Sequence, residues 1–495
     1  MAPGSSDVWP ARRGPQTLWR SAQERQDRAV GAPIMTTGKL GEAAAQPVRP
    51  HAELHETQTG VVVLIGDRAY KIKKPVATDV LDYRTPALRE KACAREVQLN
   101  RRLAPNSYVG VAHLSDPGGG PAEPVVVLQR YPDSCRLATM VACGTPVERE
   151  LADIAQLLAR FHADADRGRH ISSHAKASNL STRWQKQLSE LARFAGCMVP
   201  SGLIDRVEHL ASQYIAGRTV LFTQRIIDGH IVDGHGELLT GEIYCTPDGP
   251  VLLNCPESDD RLRYVDRIDD AACLAMDLEF HGRRDLADHF VETYRRYSDD
   301  PAPVSIAHFY IAFRAVVQAN ADCERFSHGT PDAALDASRH LSIAIEHLAE
   351  GAVRLALIGD AGKSELARSL AERVGAEVIS IDQVQRELEQ SNSIAGENDI
   401  LGDGWCAAHS AAAVHDISLR RAHTRLANGR SVIMDGPWCD RRQRRLAEYL
   451  ATETRSTLLE ITWVESHRPE STNEAERRWR EIPVTQTPPA AAPRM

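Results

Sequence analysis

Asp233-Gly234-His235-Gly236-Glu237-Leu238, then Pro247-Asp248-Gly249, then Val251-Leu252-Leu253-Asn254, is the stretch on which the reading of this chain turns. The tripeptide is a hairpin-turn sequence, and the last run is an apolar strand ending on a polar amide. A short loop carrying a histidine and a carboxylate is thereby set beside a β-hairpin. Just downstream, Asp266-Arg267-Ile268-Asp269-Asp270 makes an acidic turn. Upstream, Val61-Val62-Val63-Leu64-Ile65 reads as a strand, Gly66-Asp67 as its turn, and Arg68 to Lys74 as the returning strand. Helical spacing predicts a helix from about Ala87 to Leu103, and Val125-Val126-Val127-Leu128 predicts a buried strand. Mostly helical sequence runs from about 146 to 216, a β-rich patch from Leu221 to Cys255, and helices again from about 267 to 350.

Parts in this order resemble the aminoglycoside-phosphotransferase branch of the protein-kinase-like fold, a small β-lobe followed by a helical lobe. The resemblance implies ATP and Mg²⁺ as ligands and phosphoryl transfer as the reaction class. In kinases a strand lysine holds the nucleotide phosphates and a glutamate of the next helix orients it. The matching positions are Lys71, in Tyr70-Lys71-Ile72-Lys73-Lys74, and Glu96, in Arg95-Glu96-Val97. Lys73 shares the strand face of Lys71, and a strand end that simply carries lysines is the alternative. The loop at 233–238 resembles the family's H-G-D-L catalytic loop, which assigns His235 and Glu237 to catalysis, Glu237 as acceptor of the hydroxyl proton. Glu242 stands where the family has a magnesium-binding Asn, and Asn254 where it has a metal-binding Asp. The acidic turn resembles the one that braces this loop.

Three positions depart from that pattern. Glu237 keeps the carboxylate but adds a methylene, and a misplacement of ~1 Å costs on the order of a hundredfold in rate. Glu242 and Asn254 are either an exchanged acid–amide pair that preserves the charge of the clamp, or signs of decay, because a neutral amide does not offset Mg²⁺ as a carboxylate does. The run Glu257-Ser258-Asp259-Asp260 is either an acidic cleft suited to a cationic acceptor or a solvated loop.

A second pattern begins at Val353. Strand (353–358), turn, helix (363–374) and strand (377–380) make a βαβ unit, and hence a parallel sheet. A helix at about 405–428, the strand 431–435, a further helix and the strand 456–463 continue it. Gly359-Asp360-Ala361-Gly362-Lys363-Ser364 lies between strand and helix, where a phosphate-binding loop belongs. Gly359, Gly362, Lys363 and Ser364 are its nucleotide-binding candidates, with Ser364 also a Mg²⁺ ligand. The loop is two residues shorter than G-x-x-x-x-G-K-[ST], worth up to ~7 Å of backbone. Asp435 ends the apolar strand as a metal-directed acid would. Asp382, after the second strand, is a substrate- or metal-directed acid or an ordinary helix N-cap.

The sequence therefore divides into an N-terminal extension (1–50) expected to be disordered, an α+β kinase-like domain (51–350), an α/β P-loop domain with a parallel sheet (351–464), expected to be incomplete at its C-terminal end, and a tail (465–495) expected to be disordered. Met35 is an alternative start. A net charge of −8 over 495 residues excludes general affinity for nucleic acid or a membrane surface. Ten scattered cysteines and no apolar run near the ~20 residues that span a bilayer point to a cytoplasmic protein. The expected function is an ATP-dependent phosphotransferase or ATPase with a small-molecule or protein acceptor. The alternative is an inactive nucleotide-binding protein with a regulatory or interaction role.

Overall fold

The computed structural model describes residues 52–56, 59–77, 81–115, 118–359, 364–391, 405–438, 440–461 and 472–480, with only the backbone of 405–411. Strands β1 (Glu53–Glu56), β2 (Gly60–Ile65) and β3 (Arg68–Lys73) form a meander. Helix α1 (Pro86–Asn100) and strands β4 (Tyr108–Leu114) and β5 (Glu123–Gln129) complete the first lobe. The antiparallel order β1-β2-β3-β5-β4 puts β3 at the centre, with Lys71 paired to Val62 and to Val126.

Helix α1 begins where Thr85 Oγ1 accepts the Leu88 N–H, and Pro86 in the first turn gives up a donor that the helix would leave unpaired. Its buried residues include Arg89, Cys93, Glu96, Val97 and Asn100. Cys93 and Val97 pack with Tyr108, Val126 and Leu128. That spacing carries one carboxylate, Glu96, into the interior with its apolar neighbours.

The second lobe opens with α2 (Leu137–Ala142), α3 (Glu148–Asp164), α4 (Arg169–Ser172), α5 (Ala177–Ala192), α6 (Ser201–Gly217) and α7 (Thr219–Ile227). The sequence reading of a β-rich patch from Leu221 is corrected here. Leu221, Phe222 and Arg225 are buried at helical spacing, and packing overrides the strand preference of Thr219-Val220-Leu221. Strands β6 (Ile231–Asp233), β7 (Ile243–Thr246), β8 (Gly249–Leu252) and β9 (Tyr264–Asp266) follow, β6 pairing β9 and β7 pairing β8. Helices α8 (Arg267–Phe280), α9 (Arg284–Ser298), α10 (Val304–Ser327) and α11 (Ala333–Glu350) close the lobe.

Strand β10 (Arg354–Ile358) starts a second sheet, with α12 (Ser364–Val374), β11 (Glu377–Ser380), α13 (Ile381–Gln390), α14 (Trp405–Ala427), β12 (Val432–Asp435), α15 (Arg441–Glu453), β13 (Thr457–Ile461) and α16 (Thr472–Arg480). All its pairings are parallel, in the order β11-β12-β10-β13. Side chains alternate across it. Leu355, Leu357, Val432 and Met434 join Val384, Leu426 and Leu450 in a core continuous with that of the helical lobe. Ala356, Ile358, Ile433 and Ile461 face the other way, onto Leu370 and Trp479.

Helix α16 lies inside the stretch read from sequence as a tail, and that reading is corrected for 472–480. Ala475 and Trp479, one turn apart, are buried, while Arg373 of α12 binds Asn473 at 2.6 Å and Glu476 at 3.2 Å. Two apolar positions among charged ones give too little periodicity to read as a helix.

The parallel sheet is fused to the helical lobe. A Cβ added to Gly217 would lie 2.3 Å from the Thr454 carbonyl oxygen, so α6 meets the α15–β13 turn backbone to backbone. Arg218, 1% exposed, donates to the Thr454 carbonyl at 2.6 Å and to Ser456 Oγ at 3.3 Å. Burial depresses its pKa to about 10, with no carboxylate in contact to oppose the effect.

Candidate active site

The cleft between β3 and the 233–257 segment brings together residues that are far apart in sequence. Lys71 Nζ lies 2.6 Å from Glu96 Oε1 and donates to Asn254 Oδ1 at 2.9 Å. Lys73 Nζ lies 2.9 Å from Glu96 Oε2 and 2.6 Å from Glu257 Oε1. One buried carboxylate thus bridges two ammonium groups. Burial alone would raise the Glu96 pKa, but the two lysines outweigh it and hold the carboxyl at about 2. Both lysines are raised in turn, their own burial being outweighed by Glu96 and Glu257.

The loop after β6 is held from beneath by α8. Asp270 accepts the backbone N–H of His235 at 2.7 Å and of Gly236 at 2.8 Å, and its Oδ2 lies 2.8 Å from His162 Nε2. His162 continues to the Tyr294 hydroxyl at 2.6 Å. Next door, Asp269 pairs with Arg314 at 2.6 Å, and Arg314 donates to the Gly236 carbonyl at 2.5 Å. Gly236 has φ +92°, and a Cβ there would sit 2.8 Å from the Leu262 carbonyl oxygen, so the sharp turn before Glu237 requires glycine.

His235 and Glu237 occupy different environments. His235 is fully buried, its Nε2 3.1 Å from the Leu253 carbonyl and its Nδ1 3.3 Å from the Glu237 N–H. Burial lowers its pKa to about 4, so it is neutral, donating from Nε2 and accepting at Nδ1. It ties the loop to the hairpin. Glu237 is open to solvent at the cleft. The surrounding protein nonetheless raises its carboxyl above the ordinary range, through desolvation, partly offset by Arg314. Accessibility and a raised pKa coexist because the cleft walls displace bulk water around a carboxyl that solvent still reaches.

Glu242 and Asn254 flank the hairpin, the Leu253 N–H donating to the Glu242 carbonyl at 3.0 Å and the Asn254 side chain lying close enough to the Glu242 carboxyl to influence its titration. Asn254 has φ +69°, a left-handed backbone that Asn tolerates better than most residues. Desolvation raises Glu242 to about 7, against the pull of Lys71 and Arg136. A carboxylate and an amide oxygen are hard donors that suit Mg²⁺, which commonly takes one or two protein oxygens and fills the rest with phosphate and water.

The 257–260 run forms a loop with Ser258 exposed and Asp259 and Asp260 partly exposed, as one sequence reading expected, rather than an open acidic cleft. Glu257 binds Lys73 and accepts from the Tyr83 hydroxyl at 3.2 Å, Asp259 binds Arg261 at 2.7 Å, and Asp260 binds Arg95 at 2.9 Å and Arg263 at 2.6 Å. These acids are neutralised by local cations rather than gathered into a cleft. Glu257, Asp270, Arg314 and His162 complete the site. Asp270 carried a sequence signal in the acidic turn and Glu257 one in the 257–260 run, though not its pairing with Lys73; His162 and Arg314 depend on long-range contacts that no local pattern shows.

In the parallel sheet, the carboxyl ends of three strands lie level, Ser380 beside Asp435 and Asp435 beside Ile358. Gly359 therefore leaves the sheet next to Asp435, which is 7% exposed. Ser364 is exposed at the first position of α12, while Gly362 and Lys363 lie outside the described residues. Asp382 is exposed in the first turn of α13, where Ser380, not Asp382, caps the helix by accepting the Gln383 N–H at 3.4 Å. Among the described residues no group of three or more His, Cys, Asp or Glu is placed to hold a metal on its own, and no helix is long and apolar enough to cross a membrane.

The central β3 lysine, its α1 glutamate and the braced loop define a kinase-like unit, joined to an α/β unit of the P-loop kind. The chain belongs to the family that includes uncharacterized protein Rv2004c of Mycobacterium tuberculosis and uncharacterized protein Mb2027c of Mycobacterium bovis, each 51% identical over 426 residues, 85% of this chain and 86% of theirs. A family model described as an AAA domain matches residues 360–486. Similar solved structures include a choline/ethanolamine kinase family protein from Mesorhizobium loti, 16% identical with a TM-score of 0.37, covering 60% of this chain and 92% of that one. The GDP complex of aminoglycoside 2'-phosphotransferase-IIIa is 14% identical with a TM-score of 0.39, covering 68% and 99%. The sheet order and the braced loop define the fold of the first unit.

Proposed function

We propose that the chain binds ATP with Mg²⁺ in the cleft between its two lobes and transfers the terminal phosphoryl group to a small-molecule or protein acceptor. The observation that carries this reading is Lys71 Nζ held between Glu96 and Asn254, which joins the lysine, its helix partner and the metal-side hairpin in one contact. Lys71 is read as the phosphate ligand, oriented by Glu96. Glu242 and Asn254 are read as the residues that would hold Mg²⁺, which supplies charge neutralisation at the phosphates when bound. Glu237, with its raised carboxyl, accepts the acceptor's proton. His235 holds the loop without touching reacting atoms.

Gly359, Gly362, Lys363 and Ser364, with Asp435, are read as a second nucleotide site, Ser364 and Asp435 facing Mg²⁺. Asp382, exposed on α13, is the weakest member. The working compartment is read as the cytoplasm.

A second reading, nucleotide binding without turnover, draws support from Asn254, an amide where a carboxylate would be expected. Calorimetric titration of ATP into the chain with and without Mg²⁺, beside Lys71→Met and Lys363→Ala, tests both. Binding that needs Mg²⁺ and is lost in Lys71→Met supports the lobe-cleft site, and phosphate release dependent on Glu237 then separates an enzyme from a sensor. No binding in the unaltered chain would overturn both readings.

A further inference from the structure

Helix α15 begins Arg441-Arg442-Gln443-Arg444-Arg445 directly after the segment that leaves Asp435. Arg441, Arg442 and Arg445 are exposed and Arg444 half-buried, and none of the four guanidinium groups has a hydrogen-bond or ion-pair partner among the described residues. This is an unfavourable place for them. Cations at a helix N-terminus oppose the dipole, and like charges at i,i+3 and i,i+4 repel. Asp440, the N-cap, accepts the Arg442 backbone N–H at 2.8 Å, and Glu448, one turn beyond Arg444, forms no ion pair among the described residues. Several arginines of the neighbouring region are paired: Arg421 binds Glu387 at 2.7 Å, while Arg425 and Arg430 bind Glu377 at 3.0 and 3.3 Å.

The same helix exposes Tyr449 at 67% and Leu446 at 38%, one turn beyond Arg445 and Arg442. Its apolar face, Ala447, Leu450 and Ala451, is already packed on the sheet, which leaves too little apolar surface for insertion into a bilayer. Guanidinium groups beside an exposed aromatic ring, ~6 Å along the helix, match the two contacts of an unpaired strand, phosphate on arginine and base on ring. We infer that the outer face of α15 docks single-stranded nucleic acid. The net charge of −8 excludes general affinity but not a local patch of this kind. The inference does not depend on nucleotide binding in either cleft.

The test is fluorescence anisotropy of a short labelled oligouridylate with the full chain, without ATP. Binding that weakens as salt rises is expected. Arg441→Gln, Arg442→Gln, Arg444→Gln and Arg445→Gln together should weaken it at least about tenfold and flatten the salt dependence, whereas Tyr449→Ala should cost on the order of tenfold with the salt slope unchanged. Arg421→Gln should leave it unchanged. No binding at low salt, binding indifferent to the fourfold variant, or α15-dependent binding to phosphatidylserine vesicles in place of the oligonucleotide would overturn the inference. Oligonucleotide binding by a chain that fails to bind ATP would uphold it and count against the nucleotide reading alone.

Discussion

Lys71 on β3 and Asn254 after β8 are 183 positions apart in sequence and 2.9 Å apart in space, the amide oxygen of one accepting from the ammonium of the other. This contact closes the cleft between a strand of the first lobe and the hairpin of the second. The same amide lies beside Glu242 and opposes the rise of its carboxyl pKa.

Restoring a carboxylate at this contact should strengthen the cation site. Asn254→Asp is expected to raise the Mg²⁺-dependent part of ATP affinity on the order of tenfold, about 1.4 kcal/mol. Calorimetry at matched free Mg²⁺ checks it. Unchanged affinity would place the metal-binding function elsewhere.

The Glu242 carboxyl, raised to about 7 from an ordinary 4.5, predicts a specific pH dependence. The folded chain binds an extra proton between these values, so this group's contribution to stability is full below about 4.5 and is lost as pH rises through about 7. Mg²⁺ needs the ionised form, so Mg²⁺-dependent ATP affinity should fall as pH drops from 8 to 6 by roughly tenfold per unit at the limit. Glu242→Gln should abolish both slopes, and a persisting slope would assign the titration to another group.

Removing the shared carboxylate leaves Lys71 without its acid partner and Lys73 with Glu257 alone. Glu96→Gln is expected to cost about 3 kcal/mol of unfolding free energy, the scale for breaking a buried ion pair from one side. Urea unfolding measures it. A loss no larger than that of an exposed pair would mean that water reaches the site freely.

The close approach of α6 to the α15–β13 turn makes the two units sensitive to one methyl group. Gly217→Ala, with the Thr454 carbonyl 2.3 Å from the new Cβ, should cost about 1–3 kcal/mol. Because the core runs through both units, heating the unaltered chain should give one main calorimetric transition. Two well-separated transitions would show that the shared core is energetically minor.

Helix α16 offers a check on the segment that sequence reading assigned to a tail. Trp479 is 5% exposed against the sheet, so Trp479→Ala should cost about 3 kcal/mol, felt first around β10 and α12 in hydrogen exchange. Unchanged protection there would mean that the helix adds no stability.

Local chemistry made much of this protein legible from residues alone. The Gly-His-Gly loop, the Pro-Asp-Gly turn and the strand and helix at 354–358 and 364–374 depend on short-range backbone rules, and these elements formed close to the positions read for them. The Lys71–Glu96 pairing was expected only through the resemblance to kinases, since nothing in the spacing alone singles out Glu96, and the structure places the two groups 2.6 Å apart. The limits came where burial overrode propensity, as in the 219–227 helix, and where two apolar residues had to stand for a whole face, as in α16.

By itself the sequence determined two units, one α+β and one with a parallel sheet, and it placed a lysine, a helix acid and a loop carboxylate in the right order. Only the tertiary structure decided that Lys73 and Glu257 join the Lys71–Glu96 pair, that His235 is neutral and held between backbone groups, and that the acids at 259 and 260 are paired with arginines. The reason is physical. Backbone preference acts over a few residues, whereas the charge state and partner of a side chain depend on which distant groups packing brings within about 4 Å and on how much water remains between them.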